Sequence, residues 1–205
     1  MTWLPMHRFS ARLGIAILAV LVLTTTLAVA AAAQGGDRDK AEIEGGATLL
    51  TVDTGTLEAL TGAGISVEPL GAAQVSQRAG GDVTFAFPIT EGWLKASGPS
   101  ARIEHRGGLS FSDGKTTVSV RAFVINTREG ILTARVVGAG VRIPLLQLDL
   151  TNVQAFVFED SAILRGVEAS LTSTAANALN NAFGTDLFAE GLTVGTAEVF
   201  AVLDD

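Results

Sequence analysis

Hydrophobic and polar positions divide the chain into one long apolar run and then a series of short, mostly alternating segments. Leu13–Leu23 (LGIAILAVLVL) is unbroken and uncharged. From Ala47 onward the dominant period is two, the spacing of a half-buried strand. Thr48–Val52 is β-prone, and Asp82–Ile89 alternates with Val83, Phe85 and Phe87 on one face. Ile65–Leu70 is extended, with Pro69 marking a strand end or an edge. Ala101–Phe111 holds two short runs around Arg106-Gly107-Gly108, which predicts a tight hairpin because Gly accepts the positive φ of such turns. Asp113-Gly114 is a second turn. Thr116–Asn126 alternates through Val118 and Val120 and then crowds at Ala122–Ile125. That phase slip predicts a bulge or burial on both faces. Turns at Glu129-Gly130 and Gly138–Gly140 separate Ile131–Val137 from Val141–Leu150, and Asn152–Phe158, Ile163–Leu171 and Leu192–Leu203 complete the series.

Two segments depart from period two. Thr56–Leu60 reads as a single helical turn with Asp53 or Thr54 as cap. Thr174–Phe183 reads as a helix, because Thr172, Ser173 or Thr174 can cap it, alanines favour it, and Gly184 stops it. Many short strands, Gly turns and no βα alternation predict a mainly β, antiparallel sandwich or barrel-like domain with one short α-helix near its C-terminus.

The N-terminal run changes the domain picture. His7, Arg8 and Arg12 precede the apolar stretch, and small residues with two Ala-x-Ala sites follow it, ending at Ala31-Ala32-Ala33. This is the order of a secretory signal peptide, so Met1–Ala33 is expected to be removed on export. The competing reading is an uncleaved anchor, since Leu13–Ala33 is long enough to span a bilayer; only in that case is a membrane contact expected. No Cys follows the apolar run, which excludes a lipid-modified start. Gln34–Gly46 is polar and charged and reads as a linker, leaving residues 47–205 as one domain. The expected location is secreted or associated with the cell envelope.

Composition narrows the chemistry. The 205 residues carry 14 Lys+Arg against 21 Asp+Glu, a formal charge of −7. An acidic chain without a basic block is a poor nucleic-acid binder. With no Cys there is no disulfide framework and no thiolate metal site. Only His105 follows the signal, so a site needing two His within one chain is excluded. The Gly doublets Gly35-Gly36, Gly45-Gly46, Gly80-Gly81 and Gly107-Gly108 lack the Lys-Ser/Thr of a phosphate loop and read as turns.

A set of short motifs carries a family likeness: Phe87-Pro88-Ile89-Thr90, Ile103-Glu104-His105-Arg106-Gly107-Gly108-Leu109, Pro144-Leu145-Leu146-Gln147-Leu148-Asp149-Leu150, Ala169-Ser170-Leu171-Thr172 and Phe188-Ala189-Glu190-Gly191. Together they resemble the HtaA-type domain of secreted and surface proteins in Gram-positive actinobacteria, over about two thirds of the chain beyond the signal. The resemblance implies an exported β domain. It also implies haem as a ligand, held in that family by a Tyr with a supporting His. This chain has no Tyr, so a haem-binding reading departs from that donor pair and rests on His105, the one His beyond the signal.

His105 shares a strand face with Ala101 and Ile103, opposite Arg102, Glu104 and Arg106. It is the candidate cofactor residue, as a haem ligand through neutral imidazole, or else a sheet-end histidine bonded to a neighbouring strand. Trp93, after Glu91-Gly92, is the candidate ligand contact, since Trp is enriched where proteins bind partners. Asp37, Asp39, Glu42 and Glu44 lack the Asp-x-Asp-x-Asp-Gly order of a calcium loop, and no metal site is expected. No Gly-x-Ser-x-Gly elbow exists, and no catalytic residue is assigned. The expected function is a non-enzymatic binding or structural module of the cell envelope or extracellular space, with a protein or glycan partner. The alternatives are haem binding through His105, and a hydrolase pairing two of Glu91, Glu104, Asp113 and Asp149.

Overall fold

The structure, a computed structural model, describes residues 39–204 apart from 79, 96, 97 and 99. The expected signal at Met1–Ala33 lies outside the described residues. Those residues form, in order, β1 (Lys40–Val52), α1 (Thr54–Gly62), β2 (Ser66–Leu70), β3 (Gln74–Gln77), β4 (Val83–Lys95), β5 (Ala101–His105), β6 (Gly108–Ser112), β7 (Thr117–Asn126), β8 (Ile131–Val136), β9 (Arg142–Asp149), β10 (Gln154–Val157), β11 (Ser161–Leu171), α2 (Ser173–Phe183) and β12 (Thr193–Leu203).

Every strand pairing is antiparallel. Sideways around the sheet run β7, β5, β4, β1, β12, β11, β9 and β8, and β8 pairs back to β7, closing an eight-stranded barrel. Closure leaves the ring without a free edge. Four short strands lie off the ring. β6 follows β5 along β7 and carries β2 on its outer side, β3 lies on β4, and β10 takes over from β9 along β11.

β1 begins at Lys40, so residues 40–46 are strand rather than linker. Ala41 and Ile43 alternate there with Lys40, Glu42 and Glu44, and Ile43 is buried. The charged outward positions hid a period of two. Arg106-Gly107 is not a hairpin either. β5 and β6 never pair with each other, and both lie along β7. Gly107 (φ +86) is a bulge, where a Cβ would stand 2.5 Å from the Ala73 amide nitrogen. Across from it the register of β7 slips between Arg121 and Val124, and Ala122 takes φ 53 while its N–H donates to the Gly107 carbonyl at 3.1 Å. The bulge expected from the crowding at Ala122–Ile125 is there.

The helices close one end of the barrel. α2 follows Thr172, whose hydroxyl accepts from the Ala175 N–H at 3.2 Å and donates to the Pro144 carbonyl at 2.7 Å. Gly184 (φ 63) ends it in left-handed backbone. α1 is longer than the single turn expected. Asp53 caps it by accepting from the Thr56 N–H at 3.0 Å, and the Asp53 N–H donates to the Val194 carbonyl at 2.9 Å. β1 and β11 finish where β12 begins, as Val52 opposite Gly195 and Ser170 opposite Thr193 show, so both helices start at that same end. Leu60 and Leu179 bury there. Each contributes on the order of 1.5–3 kcal/mol by leaving water. Asn180 on α2 holds the return loop with two bonds, from its Nδ2 to the Phe188 carbonyl at 2.7 Å and from the Phe188 N–H to its Oδ1 at 3.0 Å.

Candidate functional site

Strand alternation sends one side chain in two into the barrel. Thr48, Leu50, Phe85, Phe87, Ile103, His105, Phe123 and Val199 all point there, and Leu57, Leu60, Leu179 and Phe188 cover the helical end. They do not fill the space. A cavity of about 280 Å3 remains, walled almost wholly by aliphatic and phenyl groups. It stands at the lower edge of the range for small-ligand pockets, about 300–1,000 Å3. Phe87 meets Phe123 edge-on at 5.0 Å and stacks near Phe85 at 6.5 Å, so part of the wall is a rigid aromatic ridge.

Among the described residues, His105 is the one ionisable group in that wall. It is 5% exposed. Register explains its partner. Thr48 lies opposite Phe87 and His105 opposite Ile89, so the two reach each other diagonally across β4. Thr48 Oγ1 is 2.7 Å from His105 Nε2, and His105 Nδ1 is 3.3 Å from the Phe123 carbonyl oxygen. A carbonyl only accepts, so Nδ1 carries the proton and Nε2 accepts from the Thr48 hydroxyl. Burial pushes the His105 pKa down to about 4, against smaller upward pulls from the Phe123 carbonyl and Glu104. At neutral pH the imidazole is therefore uncharged, with both nitrogens engaged. It resembles the sheet-end histidine more than a free ligand.

Trp93 stands elsewhere. It is half-buried on β4, opposite Glu42 on β1 and Arg102 on β5, with Lys40 Nζ 5.0 Å above its ring. The register slip between Ile89 and Glu91 puts Leu94 inward and leaves Trp93 outside the cavity.

The four carboxylates do not converge on a cleft. Glu91 and Glu104 are register neighbours on β4 and β5, but Glu91 is exposed and Glu104 is bonded to Arg102 at 2.8 Å. Asp113 accepts from the Lys115 and Thr116 N–H groups at 2.8 and 2.6 Å, and Asp149 from the Thr151 N–H at 2.8 Å. Those bonds lower both pKa values. Among the described residues no group of three His, Asp or Glu is placed to hold a metal ion.

A closed antiparallel barrel, helix-capped at one end around an apolar cavity, defines the class of this chain. Its fold is that of the HtaA-type domain: the crystal structure of the C-terminal domain of HtaA from Corynebacterium glutamicum superimposes with a TM-score of 0.58, over 80% of this chain and 99% of that one, at 17% identity. A domain-swapped dimeric variant of the same domain gives 0.49 at 18% identity, over 73% of this chain and 91% of that one. The heme binding protein HtaB of the same organism gives 0.47 at 10% identity, over 80% and 96%. No protein-family model and no curated protein matches the sequence.

Proposed function

We propose that this chain is a non-enzymatic binding module that shelters a small apolar molecule inside its barrel, working outside the cytoplasm. The cavity carries the reading. An interior walled by Leu, Val, Ile and Phe, with the His105 imidazole neutral and bonded, favours an uncharged, water-avoiding ligand. The signal pattern of Met1–Ala33 supports the location. A non-enzymatic role fits a buried imidazole with no free nitrogen and carboxylates turned to water.

Haem is the competing ligand through the HtaA resemblance. The residues present do not make that family's donor pair. There is no Tyr, and His105 Nε2 is occupied by Thr48. An iron ligand here would first have to break that bond.

Titration with the uncharged fluorophore phenyl-naphthylamine tests the reading. Saturable enhancement is expected for the natural chain and loss for Val199→Phe, which fills the cavity; Ala197→Leu is a milder filler should Val199→Phe fold poorly. Trp93→Phe, outside the barrel, is expected to bind normally. No enhancement in the natural chain sinks the proposal. A haem absorbance shift that disappears in His105→Ala puts haem in place of the apolar ligand.

A further inference from the structure

One side of the barrel bears a row of arginines that stands outside the ion pairs of the described residues. Register sets Arg121 on β7 opposite Arg135 on β8, and Arg135 opposite Arg142 on β9. All three are exposed. Like charges directly opposite each other destabilise a sheet. Among the described residues the ion pairs are Arg102–Glu104 and Arg165–Glu198, so none of the three forms an ion pair; the acidic group acting on Arg142 is Glu104, which is already bonded to Arg102. Arg142 is braced, its Nη1 donating to the Thr133 carbonyl at 3.2 Å and to Thr133 Oγ1 at 3.0 Å. Arg106 joins Arg121 and Arg135 around a recess floored by Gly107 and Ala122. In a chain with 21 acidic residues, positions 130–148 contain none.

The same strands carry an apolar tip. Between β8 and β9 the chain runs Val137-Gly138-Ala139-Gly140-Val141, with no polar side chain. Val137 is 45% and Val141 52% exposed, and Gly138 and Gly140 adopt positive φ to make the turn. An apolar projection ringed by unpaired cations matches one kind of surface, hydrocarbon beneath a layer of negative charge.

We propose that the β8–β9 hairpin docks on an anionic phospholipid bilayer. Val137, Ala139 and Val141 enter the interface, and Arg121, Arg135 and Arg142 lie at the level of the lipid phosphates. The net negative charge of the chain does not prevent this, because at physiological salt its more distant carboxylates are screened beyond roughly 8 Å. A second apolar patch makes the contrast. Phe156, Val157 and Phe158 at β10 are also exposed, but Glu159-Asp160 follows directly, and an anionic surface repels it. The docking does not depend on what the cavity binds.

Sedimentation with vesicles tests it, using residues 34–205 so that the apolar N-terminal run does not contribute; the core lies wholly between Ile43 and Leu203. Binding is expected to vesicles mixing phosphatidylglycerol with phosphatidylcholine and not to phosphatidylcholine alone. Each arginine removed, in Arg121→Gln and Arg135→Gln, weakens it about fivefold. Val137→Ser with Val141→Ser abolishes it, while Arg165→Gln leaves it unchanged. These side chains are exposed, and an unchanged thermal transition confirms folding. Equal sedimentation with both vesicle types, or unaltered binding by the variants, overturns the proposal. So does soluble inorganic polyphosphate binding that survives the paired Val→Ser changes with no vesicle binding, which makes the row a polyanion site instead.

Discussion

Thr48 and His105 are 57 positions apart in the chain and 2.7 Å apart in space, hydroxyl to imidazole, in the wall of an apolar cavity. The bond satisfies the one imidazole nitrogen that the Phe123 carbonyl does not. Removing it leaves a buried acceptor facing hydrocarbon. Thr48→Val is therefore expected to cost about 1–3 kcal/mol in urea unfolding, and Thr48→Ser to recover most of it. Thr48→Val combined with His105→Leu should cost less than the two single changes added together; strict additivity would mean that the two residues are not coupled.

The same histidine makes stability depend on pH. Its folded pKa of about 4 lies below the ordinary 6.5, so between those values the unfolded chain binds the extra proton. Stability then rises with pH across that window. The contribution is fully present above pH 6.5 and is lost as pH falls toward 4, by about 3 kcal/mol in all. Urea midpoints at several pH values, compared between the natural chain and His105→Leu, isolate it from the carboxylates. Parallel profiles for the two proteins would refute it.

Backbone conformation separates two small residues. Ala122 holds φ 53, costly for any residue with a Cβ, and Ala122→Gly is expected to stabilise the chain by about 0.5 kcal/mol after the entropy of Gly is counted. Gly46 holds φ +114, and a Cβ there would fall 2.0 Å from the Phe200 carbonyl oxygen. Gly46→Ala must push β1 from β12 and is expected to cost on the order of 3 kcal/mol. Thermal unfolding of both variants checks the opposite signs.

Asn180 links helix to lid. Its amide exchanges two bonds with the Phe188 backbone, and Phe188 covers the cavity. Asn180→Ala is expected to lose about 2 kcal/mol, near 1 for each bond, and to speed amide exchange at Leu187 and Phe188 ahead of the barrel strands. Uniform exchange across the chain would show that the loop is held by packing alone.

Much of the fold was legible locally. The inward alternation of Val83, Phe85 and Phe87, the outward Asp149, the cap at Thr172 and the stop at Gly184 all follow from rules acting within a few residues. The charged start of β1 hides its period of two, because its apolar half is only Ala41 and Ile43. The arginine row was invisible, since Arg121, Arg135 and Arg142 are spaced like any outward strand residues until two registers set them side by side.

Period, propensity and capping are enough to define an antiparallel β domain, most of its strands, its C-terminal helix and the inward face of His105. Closure of the sheet, the pairing of Thr48 with His105 and the unfilled interior arise only in three dimensions. Those depend on strand order and register between distant segments. Many pairings satisfy the same alternation, and a barrel is chosen by which of them bury the most surface together.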